Sequence, residues 1–143
     1  MASVPRWLLK TEPSSYSLAD LERDRKTVWD GVRNALALSY LRRIRKGDLV
    51  LVYHTGEEKA VVGVARAESD PYPDPEGEDE KLLVVDVGFV RRLARPVPLA
   101  ALRKEPALRD WALLRLPRLS VLPVGPDEWR VVERLAGERT KKA

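Results

Sequence analysis

The chain has 143 residues, a length that suits one compact domain, and 44% of them are hydrophobic, enough for a real core. Charged residues make up 34%, the formal net charge is +4, and there is no cysteine. That balance excludes a disordered chain, a disulfide scaffold and a thiolate metal site, and it permits nucleic acid as a partner without demanding it.

No apolar run approaches the ~20 residues of a membrane helix, and the start, Met1 to Arg6, lacks a signal-peptide pattern. The expectation is a soluble, cytoplasmic, monomeric protein with no membrane partner and one domain over 1–143. Residues 138–143 are expected to form a frayed tail.

Arg6 to Thr11 reads as a first strand, closed by Glu12-Pro13. Ser17 is placed to cap a short helix over Leu18 to Arg25. Then comes Val28-Trp29-Asp30-Gly31-Val32-Arg33-Asn34, an aromatic, a carboxylate, a glycine, a guanidinium and an amide in close succession. Trp29 reads either as the wall of a pocket for a flat ligand or as a core residue. Asn34 can cap a helix over Ala35 to Lys46, whose apolar face is Ala37, Tyr40, Leu41 and Ile44. Arg42, Arg43, Arg45 and Lys46 would then crowd its last turn, where cations suit the helix end.

Asp48 to Thr55 is apolar on both faces and predicts a central strand, with Ala60 to Ala67 as its hairpin partner. Gly63 within the return strand signals a bulge or a close backbone approach. Asp70 to Glu80 is a loop rich in proline and acid. Leu82 to Val90 is a third long strand, followed by Arg91, Arg92 and Arg95. Two short helices are expected over Pro98 to Lys104 and Pro106 to Leu114, a strand over Arg118 to Pro123, and a last helix from Asp127. Irregular alternation of strands and helices favours a twisted, partly closed barrel with helices outside over a doubly wound sheet.

Catalytic and cofactor patterns are sparse. His54 is the one histidine, and no phosphate-binding glycine loop or nucleophile elbow occurs. His54 reads as a hydrogen-bonding group at a strand end. Neither a metal nor any other cofactor is expected. The binding case is better. Trp29 can stack on a planar ring, Asn34 and Ser120 can meet polar edges, and Lys10, Arg33 and Arg118 can hold phosphates. Each has a plainer role open to it: core for Trp29, a cap for Asn34, an ion pair with Asp30 or Glu12 for Arg33, a surface charge for Arg118.

Several motifs stand in one order: Trp7-Leu-Leu-Lys-Thr-Glu-Pro13, Tyr16-Ser17, Trp29-Asp-Gly-Val-Arg-Asn34, Gly47-Asp48, Tyr53-His54, Tyr72-Pro-Asp-Pro75 and Arg118-Leu-Ser-Val-Leu-Pro-Val124. On them the chain resembles the EVE domain family from Trp7 to about Trp129. The resemblance implies an α+β, PUA-like fold, a small mixed β-barrel flanked by helices, related to the YTH domains that bind methylated adenine in RNA. It implies a non-catalytic reader of a modified, methylated base in DNA or RNA. Carried onto this sequence, Trp29 is the stacking wall, and Lys10, Glu12, Ser17, Val32, Arg33 and Asn34 surround it. Tyr53, His54, Pro73, Asp74, Arg118, Leu119 and Ser120 supply the remaining rim and floor. Val32, Pro73 and Leu119 would pack the base, and Asn34, Ser120 and Asp74 would meet its polar edge. Two other readings remain open: a binder of a free nucleobase or other planar metabolite, and a hydrolase built on His54 and Asp74. After Asn34 the chain departs from the family pattern: Ala35 to Ser39 lacks the second Arg-Asn pair that often follows.

Overall fold

A computed structural model describes residues 5–77, 79 and 81–138. The elements run β1 (Arg6–Thr11), α1 (Leu18–Asp24), β2 (Lys26–Trp29), α2 (Ala35–Leu41), β3 (Leu49–His54), β4 (Ala60–Ala67), β5 (Tyr72–Pro73), β6 (Leu83–Pro98), α3 (Leu99–Arg103), a 3-10 turn (Pro106–Leu108), α4 (Ala112–Arg115), β7 (Val121–Val124) and α5 (Pro126–Leu135). The spatial order of the sheet is β2-β6-β4-β3-β1-β7, with β5 paired to β6. β1 runs parallel to β3, and every other pairing is antiparallel.

The sheet curls. Register shifts interrupt the β4–β6 ladder at Val61/Gly63 and Val64/Ala65, and such bulges bend a strand and raise its twist. The curl is what lets Lys10 of β1 and Trp29 of β2 line one cavity although three strands separate them in the sheet order. No pairing among the described residues joins β2 to β7. The barrel is therefore partly closed, and α2 packs against both β6 and β7 beside that seam. β1 and β3 fill the centre with Leu8, Leu9, Val50, Leu51 and Val52, each at most 1% exposed. Gly63 meets its expected close approach: a Cβ there would stand 2.6 Å from Leu18 Cδ2, so α1 rests directly on the β4 backbone.

Asp48 is buried, and its Oδ2 accepts from Trp7 Nε1 and from the Arg45 N–H, both at 2.9 Å. That clasp corrects the helix expected over Ala35 to Lys46, which ends at Leu41. Arg43 and Ile44 donate their backbone N–H groups to Tyr40 and Leu41, three residues back, tightening the chain into a turn that Asp48 then holds. The four cations after it are thus outside the helix. Arg43 lies 5.6 Å from the Trp7 ring, and Arg45 donates to the Arg42 and Ile44 carbonyls.

Other boundaries also move. The third long strand runs on to Pro98, because Leu93 and Val97 keep its inward face buried while the arginines point out. Arg91 pairs with Glu133 and Glu138, and Arg92 pairs with Glu22. The first of the two expected helices forms as α3, whereas the second, expected over Pro106 to Leu114, is split into the 3-10 turn and α4 by the extended backbone of Trp111. The last strand starts at Val121 rather than Arg118. β2 has no counterpart in the sequence reading. Of the tail expected over 138–143, residues 139–143 lie outside the described residues. Glu138 is bonded to the Arg91 guanidinium and the Ala94 N–H.

Candidate nucleic-acid interface

β1, the turn after it and β2 enclose an open cavity of about 390 Å³. Its walls are Lys10 and Thr11, Ser15 and Tyr16, and Thr27 through Asp30. Trp29 is 8% exposed and packs on the core, while also lining this cavity. Its indole N–H has no hydrogen-bond partner among the described residues. Asp30 is exposed and enters no ion pair among those residues. Lys10 Nζ donates to the Pro117 carbonyl at 2.8 Å and stands 5.4 Å from the Tyr53 ring centre. Burial holds its ammonium below the ordinary lysine range. Two of its three N–H bonds remain for a ligand. The cavity thus offers a flat aromatic wall, a cationic donor and an anionic acceptor.

A second cavity, of about 330 Å³, lies behind the Pro117 carbonyl. Asn34, Leu36 and the stretch Arg115 to Leu119 line it. Asn34 Oδ1 accepts from the Ala37 N–H at 3.0 Å, the expected cap, which leaves its amide N–H bonds to donate outward. Among the described residues the large hydrophobic side chains that stand most exposed are Val28, Leu36 and Leu116. Val28 lines the first cavity, and the other two line the second.

Residues 5–135 match the model of the EVE domain. The chain belongs to the EVE domain family. Thymocyte nuclear protein 1 of Homo sapiens is 31% identical over 160 residues, spanning 88% of this chain and 71% of that protein. The solved structure of Rpa0253 from Rhodopseudomonas palustris is 39% identical with a TM-score of 0.88, covering 94% of each chain. The solved structure of human THYN1 protein in complex with 5-methylcytosine containing DNA is 28% identical with a TM-score of 0.85. It covers 95% of this chain and 99% of that one. The α+β, PUA-like class expected from the sequence stands.

The EVE motif residues divide by place. Lys10 and Trp29 line the first cavity; Asn34, Arg118 and Leu119 line the second. The others line neither. Ser17 caps α1 by accepting from the Asp20 N–H. Glu12 bonds the Ser14 backbone and hydroxyl, which with the Ser15 N–H holds its carboxyl below the usual range. Val32 and Tyr53 are buried, and burial pushes the Tyr53 phenol up. His54 is buried with both ring nitrogens engaged: Nε2 accepts from the Leu18 N–H at 3.0 Å, so Nδ1 carries the proton toward Glu58 Oε1 at 2.7 Å. Ser120 gives its carbonyl to the Lys10 N–H, placing the strand that carries the lysine. Pro73 pairs with Leu83, and Asp74 Oδ1 accepts from the Glu76 N–H within its own turn. Arg33 and Arg118 are exposed, and neither is in an ion pair among the described residues, so the pairing of Arg33 with Asp30 or Glu12 is not formed.

Sequence reasoning missed Thr11, Ser15, Tyr16, Thr27, Val28 and Asp30 in the first cavity. Thr27 and Val28 had a signal in their β-branched run into Trp29. Tyr16 stood in the Tyr16-Ser17 motif, but its hydroxyl is drawn to Asp24 Oδ2 at 2.9 Å only by the fold of the turn.

Proposed function

We propose that the protein is a non-catalytic reader of a modified base in nucleic acid, and that the base stacks on Trp29. One observation carries the reading: Lys10 of β1 and the adjacent Trp29 and Asp30 at the end of β2 share one open cavity. The DNA-bound human relative supports a methylated cytosine as the model ligand. Cytosine presents an amino donor and neighbouring acceptors on one edge. Asp30 suits the donor and Lys10 suits the acceptors. Val28 and the indole offer apolar contact for the methyl group.

A base inside a duplex cannot reach such a slot, so the substrate is a flipped base or a single strand. Arg33 and Arg118 are free to meet flanking phosphates, and binding then weakens as salt rises. The engaged ring of His54 argues against a general base at that position.

The test is fluorescence anisotropy with matched DNA and RNA oligonucleotides, with and without one 5-methylcytosine, at two salt concentrations. Wild type should prefer a methylated strand. Trp29→Leu keeps apolar bulk against the core but loses the stacking face, and should weaken binding by about tenfold or more. A folded Trp29→Leu protein that binds as tightly as wild type sinks the reading. Equal affinity for free 5-methylcytosine and for the oligonucleotide would instead favour a small-metabolite binder.

A further inference from the structure

We infer that the apolar cavity behind Pro117 is a second nucleotide subsite, taking the base next to the one stacked on Trp29. This rests on the base-reading role of the first cavity.

The first observation is exposure without an evident cost to folding. Leu36 and Leu116 are 43% and 45% exposed, yet they come from different elements to line one cavity. Single exposed leucines are ordinary, but two meeting in a concave site mark a surface that a ligand can cover. The second is adjacency. Lys10, which lines the first cavity, donates to the carbonyl of Pro117, which lines the second, at 2.8 Å, so one hydrogen bond links the two linings. A strand with one base against Trp29 can pass its neighbour over that contact.

The third is charge. Arg115 and Arg118 border the apolar surface, and no acidic side chain lines it. Arg115 pairs with Asp110 outside the cavity, whereas Arg118 is in no ion pair among the described residues. A ligand with a flat apolar face and an anionic backbone satisfies both features. A second copy of this chain would instead bring its own positive balance of +4 to two arginines.

The chemistry of the lining also sets what this subsite discriminates. Leu36, Leu116 and Leu119 present no hydrogen-bonding group, and the Asn34 oxygen is spent on the Ala37 N–H. Among the side chains only donors remain, from the Asn34 amide and the arginines. The neighbouring base therefore adds affinity through its face and is read weakly by its edge. Leu36 falls inside Ala35 to Ser39, the stretch where this chain differs from the usual EVE pattern, so the weak reading is a property of this sequence.

The experiment compares two probes, the free nucleoside 5-methyl-2′-deoxycytidine and a short single-stranded oligodeoxynucleotide carrying one such base. They are tested on wild type, Leu36→Ser, Leu116→Ser and the double variant. Both leucines are exposed enough that serine leaves the fold intact, which circular dichroism checks. The expected result is an oligonucleotide affinity about tenfold weaker in the double variant, with nucleoside affinity unchanged and little dependence on the identity of the neighbouring base. The subsite is overturned if the double variant binds the oligonucleotide as wild type does, or if nucleoside affinity falls in step. It is also overturned if sedimentation shows a wild-type dimer that Leu116→Ser disperses. Failure of the base-reading role is separate: wild type would bind methylated and unmethylated strands alike. The leucine comparison on the unmethylated strand would then still decide the subsite.

Discussion

Trp7 and Trp29 are both strand tryptophans and both are buried, at 2% and 8% exposed. Their surroundings differ far more than those figures. Trp7 gives its indole N–H to the buried Asp48 carboxylate, tilts 50° against Tyr40, and lies beneath the Arg43 guanidinium. Every edge of it is spoken for by this chain. Trp29 has no such partner among the described residues, and it borders open space flanked by an unbalanced cation and an unpaired acid. Burial alone therefore does not separate these two environments. The satisfaction of the indole's polar edge, and of the charges around it, does.

The comparison breaks or sharpens on three measurements besides the binding tests above. The largest effect belongs to Trp7→Ala, which opens a cavity and strips a donor from a buried carboxylate; denaturant unfolding should show a loss of ~3–5 kcal/mol. Trp29→Ala in the same assay should cost less, roughly 1–3 kcal/mol, because the ring already borders a cavity and holds no buried carboxylate. Equal losses would erase the distinction.

The next effect is in pH. The Lys10 ammonium is held below its ordinary 10.5 by burial, so its proton leaves earlier than that of an exposed lysine. Nucleic-acid affinity should fall as pH rises through that lowered value, and Lys10→Arg should hold binding over the same range. Stability moves the other way. Between the lowered folded value and the unfolded one the unfolded chain binds more protons, so folding gains from Lys10 as pH rises. A wild-type titration parallel to Lys10→Arg would remove Lys10 from the interface.

The smallest effect is at Asn34, whose side chain is divided between capping α2 and facing the second cavity. Asn34→Ala should cost about 1 kcal/mol in thermal or denaturant unfolding through the lost cap. No change in stability would mean that the cap is dispensable.

What was legible in the sequence follows from how local its cause is. β1 and β4 stand where alternation and branched residues put them, and Gly63 announced a bulge or a close approach, whose partner is Leu18. β2 was invisible because its four residues owe their extended form to β6, paired residue by residue from Lys26–Gly88 to Trp29–Val85. The end of α2 was misjudged because a carboxylate beyond it, Asp48, draws the chain out of the helix. The site divided the same way. Lys10, Trp29 and Asn34 were recognisable as motif residues. The second cavity was not, because Leu36 and Leu116 meet only through the packing of α2 on β7. His54 sat in a motif too, but its ring is spent tying the start of α1 to the turn after β3.

The seam of the barrel bears on all of this. β2 is the last stave on its side, held by β6 along one edge, and no ladder among the described residues reaches across to β7. The cavity at Trp29 opens between this lone stave and the firmly paired β1. A base lodged there would touch both staves at once, so the ligand would act as a keystone for a wall the polypeptide leaves incomplete. Recognition and tightening of the domain would then be one event.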